Sequence, residues 1–235
     1  MQEILNNTGN PPSSLPIYEH LYSFIDDVLC NFKPLSTTST GNVVSSEDDI
    51  TQDLVAYFED QQEFSNHSDY SFKFENQSKQ GGNKTDIGVR LGRRYSSTNR
   101  SLFCWIEAKR LPTPPEKDRD EREYVFVSRK KENEKRIFKG NGGIQRFKEG
   151  KHAPKLSYSI MIGYIQENDA DYWLNKINGW INDLTITDSI LWNESDYLQK
   201  QKKTRRNRYV STHNRSRGLM PITLHHFWIN LLTNQ

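Results

Sequence analysis

Apolar positions along the chain recur with two periods, and the switching between them lays out an α/β protein. In "IYEHLYSFIDDVLCNF", Ile17, Leu21, Phe24, Ile25, Val28 and Phe32 fall at helical spacing. "SSEDDITQDLVAYFED" predicts a second helix with Ser45 or Ser46 as N-cap, acids in its first turn, and a stripe of Ile50, Leu54, Tyr57 and Phe58. The period then drops to two. "YSFKFEN" and "TDIGVRL" alternate as strands joined by the polar loop "QSKQGGNK", and "LFCWIEAKRL" supplies a third strand. Residues 112–140 are dense in both charges and read as a surface insertion. Gly142 and Gly143 then feed a short helix. "LSYSIMIGYI" is the most apolar run and reads as a central strand, followed by a helix with the stripe Trp173, Ile177, Trp180, Ile181 and Leu184. A strand is expected inside the basic tail, and "ITLHHFWINLL" closes the chain's pattern.

This order predicts an α/β fold: a mixed central sheet of four or five strands flanked by helices, in one domain spanning 17–235. Residues 1–16, rich in Asn, Pro and Ser, are expected to be flexible. A length of 235 residues suits one such domain with elaborations. Mean hydropathy is -0.87, polar for a folded chain, yet five Trp, eleven Tyr and eleven Phe supply bulk for a core. Cys30 and Cys104 lie in apolar settings without metal-ligand spacing and read as inert core thiols of a reducing compartment. The opening residues lack the pattern of a secretory leader, and no apolar run reaches the roughly 18 residues of a membrane span. The expected location is cytoplasmic, with no membrane partner.

Charge changes the picture. Residues 1–80 carry 13 acids and 3 bases, whereas 81–235 carry 29 bases and 17 acids. From Lys200 to Arg217 there are eight Lys or Arg and no acid. That polarity points to a polyanionic partner for the later part. Lys203, Arg205, Arg206 and Arg208 fit a groove that tracks phosphates, as do Arg93 and Arg94 in a turn beside the third strand. His213, His225 and His226 have no cysteine partners and read as structural.

The third strand poses the chemical question, because a core strand ends in "EAK". Glu107 and Lys109 share a face about 6.6 Å apart at roughly 3.3 Å per residue. Asp86 falls beside Glu107 if the two strands are neighbours. Two converging carboxylates repel unless a cation separates them, and hard oxygen donors suit Mg²⁺ or Mn²⁺. The lysine would hold or deprotonate a water, or stabilise charge on a phosphate.

Asp86 followed by "Glu107-Ala108-Lys109" at the end of an apolar strand, with a helix before them, resembles the PD-(D/E)xK nuclease superfamily. The element order matches over residues 45–185, and Thr85 stands where the family often has proline. The resemblance implies a restriction endonuclease-like core and Mg²⁺- or Mn²⁺-dependent hydrolysis of phosphodiesters in DNA, in a setting of restriction or phage defence, and it allows a homodimer. It implies Asp86, Glu107 and the Ala108 carbonyl as metal ligands and Lys109 as the catalytic lysine. Glu47 is implied as the additional acid, with Asp48 or Asp49 as alternatives. Gln145 falls where relatives place a helix flanking the site, a place for a phosphate contact. The rival expectation is a catalytically inactive nuclease-fold module that binds nucleic acid or protein.

Overall fold

The computed structural model describes residues 15–35, 46–64, 71–77, 86–92, 102–114, 119–129, 137–138, 142–202 and 207–232. In chain order the elements are α1 (Leu15–Leu29), α2 (Glu47–Phe64), β1 (Phe72–Asn76), β2 (Ile87–Leu91), β3 (Cys104–Leu111), β4 (Ser128–Arg129) and β5 (Ile137–Phe138). There follow α3 (Gly143–Lys148), β6 (Tyr158–Ile165), α4 (Ala170–Thr187), a 3-10 turn (Glu194–Asp196), β7 (Gln199–Lys200), β8 (Arg208–His213) and β9 (Ile222–Asn230).

Seven strands form one open mixed sheet in the order β1-β2-β3-β6-β9-β8-β7, and β4 and β5 form a separate pair. The three middle strands are parallel, while the pairs on either side are antiparallel. The α/β class is as expected, but the sheet is wider than the four or five strands expected. Both strands of the tail join it, and two-residue β7 extends it by one more. So short a strand carries no period of its own and is invisible to pattern reading.

The sheet separates two cores. On one face, α1 and α2 pack Leu21, Phe24, Ile25, Ile50, Leu54 and Phe58 against Ile106, Ala108, Ile160 and Ile162. On the other, α4 packs Trp173, Ile177, Ile181 and Leu184 with Leu111, Met161, Tyr209, Leu224 and Trp228. A strand covered on both sides needs a continuous apolar run, which is why β6 reads "YSIMIGYI" without alternation. Its one glycine has a steric reason: a Cβ on Gly163 would come within 2.5 Å of the Trp228 ring.

The surface reading of 112–140 needs correction at its apolar stretch. Tyr124, Val125 and Phe126 are buried in the second core. Their backbone also receives α3: the N–H groups of Gly143, Ile144 and Gln145 donate to the carbonyls of Glu123, Tyr124 and Val125. Gly142 permits this contact, since a Cβ there would lie 2.1 Å from the Phe126 Cα.

Two of the three tail histidines, His213 and His226, belong to a chain of buried hydrogen bonds, while His225 stacks on the Tyr22 ring beside Arg208. Lys148 Nζ and His213 Nδ1 both lie 2.5 Å from Asp196 Oδ1. Ser211 Oγ lies 2.7 Å from both His213 Nε2 and His226 Nε2. Tyr124 OH is 2.8 Å from His226 Nδ1 and accepts from Trp228 Nε1 at 2.9 Å. With Asp196 ionised and both imidazoles neutral, one proton arrangement satisfies every link. His213 Nδ1 donates to Asp196, Ser211 to His213, His226 Nε2 to Ser211, and Tyr124 to His226.

Burial pushes the His213 and His226 pKa values below the ordinary imidazole value, the latter strongly. Burial would raise Asp196, but the His213 hydrogen bond and the Lys148 charge outweigh it and hold the carboxyl low. No helix among the described residues is long and apolar enough to cross a membrane.

The sign of the pH dependence follows. The unfolded chain protonates its imidazoles below about pH 6.5 while the folded chain resists, so stability is full above that value and declines as pH falls. In Asp86→Asn, which lacks the opposing titration of the Asp86 carboxyl, the thermal midpoint followed by circular dichroism is expected to drop between about pH 7.5 and 5.5. Asp196→Ala, which leaves the Lys148 ammonium buried without its partner, is expected to cost about 3–5 kcal/mol in urea unfolding at neutral pH.

Candidate functional site

The site forms where β2 stops and β3 continues. The β2–β3 pairing runs from Val89↔Cys104 to Ile87↔Ile106 and ends there. Past it, β3 presents backbone N–H groups to an edge that no strand among the described residues covers, and carboxylates take them. Asp86 Oδ2 accepts from Ala108 N–H at 2.7 Å, and Glu47 Oε2 accepts from Arg110 N–H at 3.1 Å. Alternate residues of a strand address the same edge, so the two acids sit side by side along it. Extending the register by one residue sets Asp86 opposite Glu107, which aims their side chains to the same side.

Glu47 reaches this edge because of how α2 begins. Ser46 Oγ accepts from Asp49 N–H, and the Asp49 carboxylate accepts from Ser46 N–H, a reciprocal cap that fixes the first turn. One turn on, Thr51 Oγ1 meets Tyr164 OH at 3.1 Å and ties the helix to β6. Asp48 and Asp49, the alternatives to Glu47, are both exposed, and Asp49 is spent on the cap.

Lys109 joins the acids. Its Nζ donates to Glu47 Oε1 at 2.8 Å and to the Ala108 carbonyl at 2.8 Å, and lies 3.2 Å from Glu107 Oε1. Two residues that local patterns did not flag complete the cluster. Arg146 Nη1, from α3, donates to Glu107 Oε1 at 2.9 Å, and His152 Nε2 lies 3.5 Å from Glu107 Oε2. A lone arginine in "GGIQRF" carries no periodic or motif signal; only its sequence neighbour Gln145 had been placed near the site.

The electrostatics follow from burial and neighbours. Burial, followed by the Glu107 charge, pushes the Asp86 carboxyl up to about 8, against the opposing pull of Lys109. Burial would also raise Glu107, but Lys109, His152 and Arg146 outweigh it and hold that carboxyl below its ordinary range. Lys109 loses solvation too, yet Glu107, Glu47 and Asp86 hold its ammonium well above the ordinary lysine value. Lys109 is therefore a fixed cation and a donor. Two neighbouring carboxylates with opposite shifts are the mark of a site where like charges are forced together.

The other expected contacts fare differently. Gln145 is buried, with Nε2 donating to Glu149 at 3.0 Å. Arg208 is buried beneath the Tyr22 and Phe227 rings and lies 3.8 Å from Asp26, so its charge is used inside the fold and not on a phosphate-facing surface. Arg93, Arg94, Lys203, Arg205 and Arg206 lie outside the described residues.

For Mg²⁺ or Mn²⁺ the donor chemistry fits with two carboxylates and a carbonyl. Glu107 Oε2 is a buried oxygen with no hydrogen-bond partner among the described residues, and its carboxylate interacts electrostatically with that of Asp86. Glu47 accepts from Lys109 and the Arg110 N–H, as the Ala108 carbonyl accepts from Lys109 and Asp86 from the Ala108 N–H. No group of three or more His, Cys, Asp or Glu among the described residues is arranged to hold a metal ion. No known protein family, curated protein or solved structure matches the chain.

The raised Asp86 pKa gives a testable sign. A carboxyl that binds its proton more tightly when folded contributes stability below its unfolded pKa, about 3.9, and loses it as pH rises through the folded value. Asp86→Asn removes that penalty and keeps an acceptor for the Ala108 N–H. Without divalent ions, the variant is expected to melt at least about 2 °C above wild type at pH 8, with the difference vanishing near pH 4.

Proposed function

We propose that the chain is a Mg²⁺- or Mn²⁺-dependent nuclease with a restriction endonuclease-like core, hydrolysing phosphodiester bonds in DNA. The observation that carries this reading is the meeting of Asp86, Glu107 and Lys109 where β3 outruns β2. The strand pattern, the cross-strand register and the electrostatics support it independently.

Asp86, Glu107 and the Ala108 carbonyl would hold the ion, which when bound supplies Lewis acidity and offsets charge on the phosphate and on the leaving 3′ oxygen. The remaining chemistry belongs to the chain. Lys109, kept cationic, donates to the attacking water or to a non-bridging phosphate oxygen and so orients the attack. Water adds to phosphorus, the bond from phosphorus to the 3′ oxygen breaks, and the water's proton ends on the leaving oxygen or in solvent. Glu47 fixes the Lys109 ammonium by the 2.8 Å hydrogen bond and sets its direction. The excess of basic residues after residue 80 supplies attraction for the polyanion.

A second reading has one observation in its favour. Glu107 is engaged by two cations, Lys109 and Arg146, an arrangement that would also suit a catalytically inactive module that binds nucleic acid.

Supercoiled plasmid separates the two. Wild type with Mg²⁺ or Mn²⁺ is expected to nick it, and Lys109→Ala and Glu107→Gln to lose at least about 100-fold in rate. Isothermal titration with Mn²⁺ should show one site per chain that Glu107→Gln abolishes. Nicking by Lys109→Ala at the wild-type rate would sink the nuclease assignment; DNA binding without metal uptake would favour the inactive module.

A further inference from the structure

We infer that Arg146 is a phosphate-binding residue of the site, with its guanidinium anchored to Glu107 by one nitrogen and its other donors open to a phosphodiester oxyanion. The inference rests on reading the site as a phosphodiesterase and names the group that would receive the substrate.

Three observations carry it. The first is which donors are used. Among the described residues, Arg146 hydrogen-bonds through Nη1 alone, to Glu107 Oε1 at 2.9 Å with His152 Nε2 at 3.4 Å. Nε and Nη2, the paired edge that matches two oxygens of a phosphate, are not engaged.

The second is exposure. The Glu107 and Lys109 side chains are 1% and 5% exposed, whereas that of Arg146 is 29% exposed. Arg146 is thus the boundary between the buried charges and solvent. Glu107 already has Lys109 at 3.2 Å, so a fully buried partner would serve charge balance alone. Arg119, across the site, is 33% exposed but has its Nε on Glu123 at 2.8 Å and lies 3.9 Å from Glu47.

The third is rigidity. The first turn of α3 is pinned by three backbone hydrogen bonds to residues 123–125, and Arg146 N–H closes onto the Gly142 carbonyl. Lys148, two residues on, is held at 2.5 Å by buried Asp196. An arginine on so fixed a platform loses little further freedom on binding.

The test is fluorescence anisotropy of a labelled DNA duplex with the full chain at about 50 mM salt and no divalent ion, so that no cleavage is required. Arg146→Gln is expected to weaken binding about tenfold and make the salt dependence shallower by about one ion. Arg146→Lys keeps a cation on Glu107, guards against loss of folding checked by melting, and should recover less than half of that loss in free energy. Lys155→Gln, an exposed cation before β6, should change binding less than twofold. If folded Arg146→Gln binds as wild type does while wild type cleaves DNA, the Arg146 inference is overturned and the nuclease reading stands. If wild type never cleaves but the Arg146 variants lose binding, the nuclease reading fails and the phosphate contact stands. No binding by wild type at all would overturn both.

Discussion

The site depends on a sheet edge that ends early. Where β2 stops at Ile87, β3 still has N–H groups to satisfy, and the chain satisfies them with the carboxylates of Asp86 and Glu47. That choice concentrates negative charge beside Glu107, and buried charge of one sign must be offset at once. Lys109 does so from within the strand, and Arg146 does so from α3. One backbone requirement thus assembles an acid cluster, a fixed ammonium and a partly exposed guanidinium. The strain is visible in the Asp86 carboxyl, raised while its neighbour Glu107 is lowered.

The two cores hold the cluster from opposite sides. α2 belongs to the first core and delivers Glu47 around the open edge; α3 lies on the second and delivers Arg146. The buried hydrogen-bond chain explains how a six-residue helix can be a firm support. One end of the chain is Lys148, the last residue of α3. The other end reaches Tyr124, whose carbonyl accepts from Ile144 in the first turn of the same helix. The histidines, serine and aspartate of the tail therefore clamp α3 at both ends, while α3 in turn holds Glu107. A network with a single satisfying proton arrangement favours one placement over its neighbours, because any slip strands a buried donor or acceptor.

Much of this was legible locally. The apolar stripes of α1, α2 and α4 are buried as their spacing requires except at Tyr57 and Trp180, which are partly buried, and Glu107 and Lys109 share a face because a strand's period is two. Asp86 could be placed beside Glu107 from the order of two neighbouring strands. Arg208 misled because a basic run describes charge and not direction: it turns inward to stack on Tyr22 and Phe227. The excursion after β3 misled in the opposite sense, since its many charges masked Tyr124, Val125 and Phe126.

The sequence by itself determined the α/β class, the strand that ends in an acid and a base, and the acids available to join them. Those follow from short-range periods and from charges that each element must carry to its end. Only tertiary structure decided that Lys109 stands between Glu47 and Glu107, that Arg146 caps Glu107, and that two of the tail histidines lock α3. The Glu47–Lys109, Glu107–Arg146 and Tyr124–His226 contacts join positions 62, 39 and 102 residues apart, and no local repeat encodes which loop returns to which strand. They are set by the parallel crossovers from β3 to β6 and from β6 to β9, where packing and buried hydrogen bonds select one arrangement.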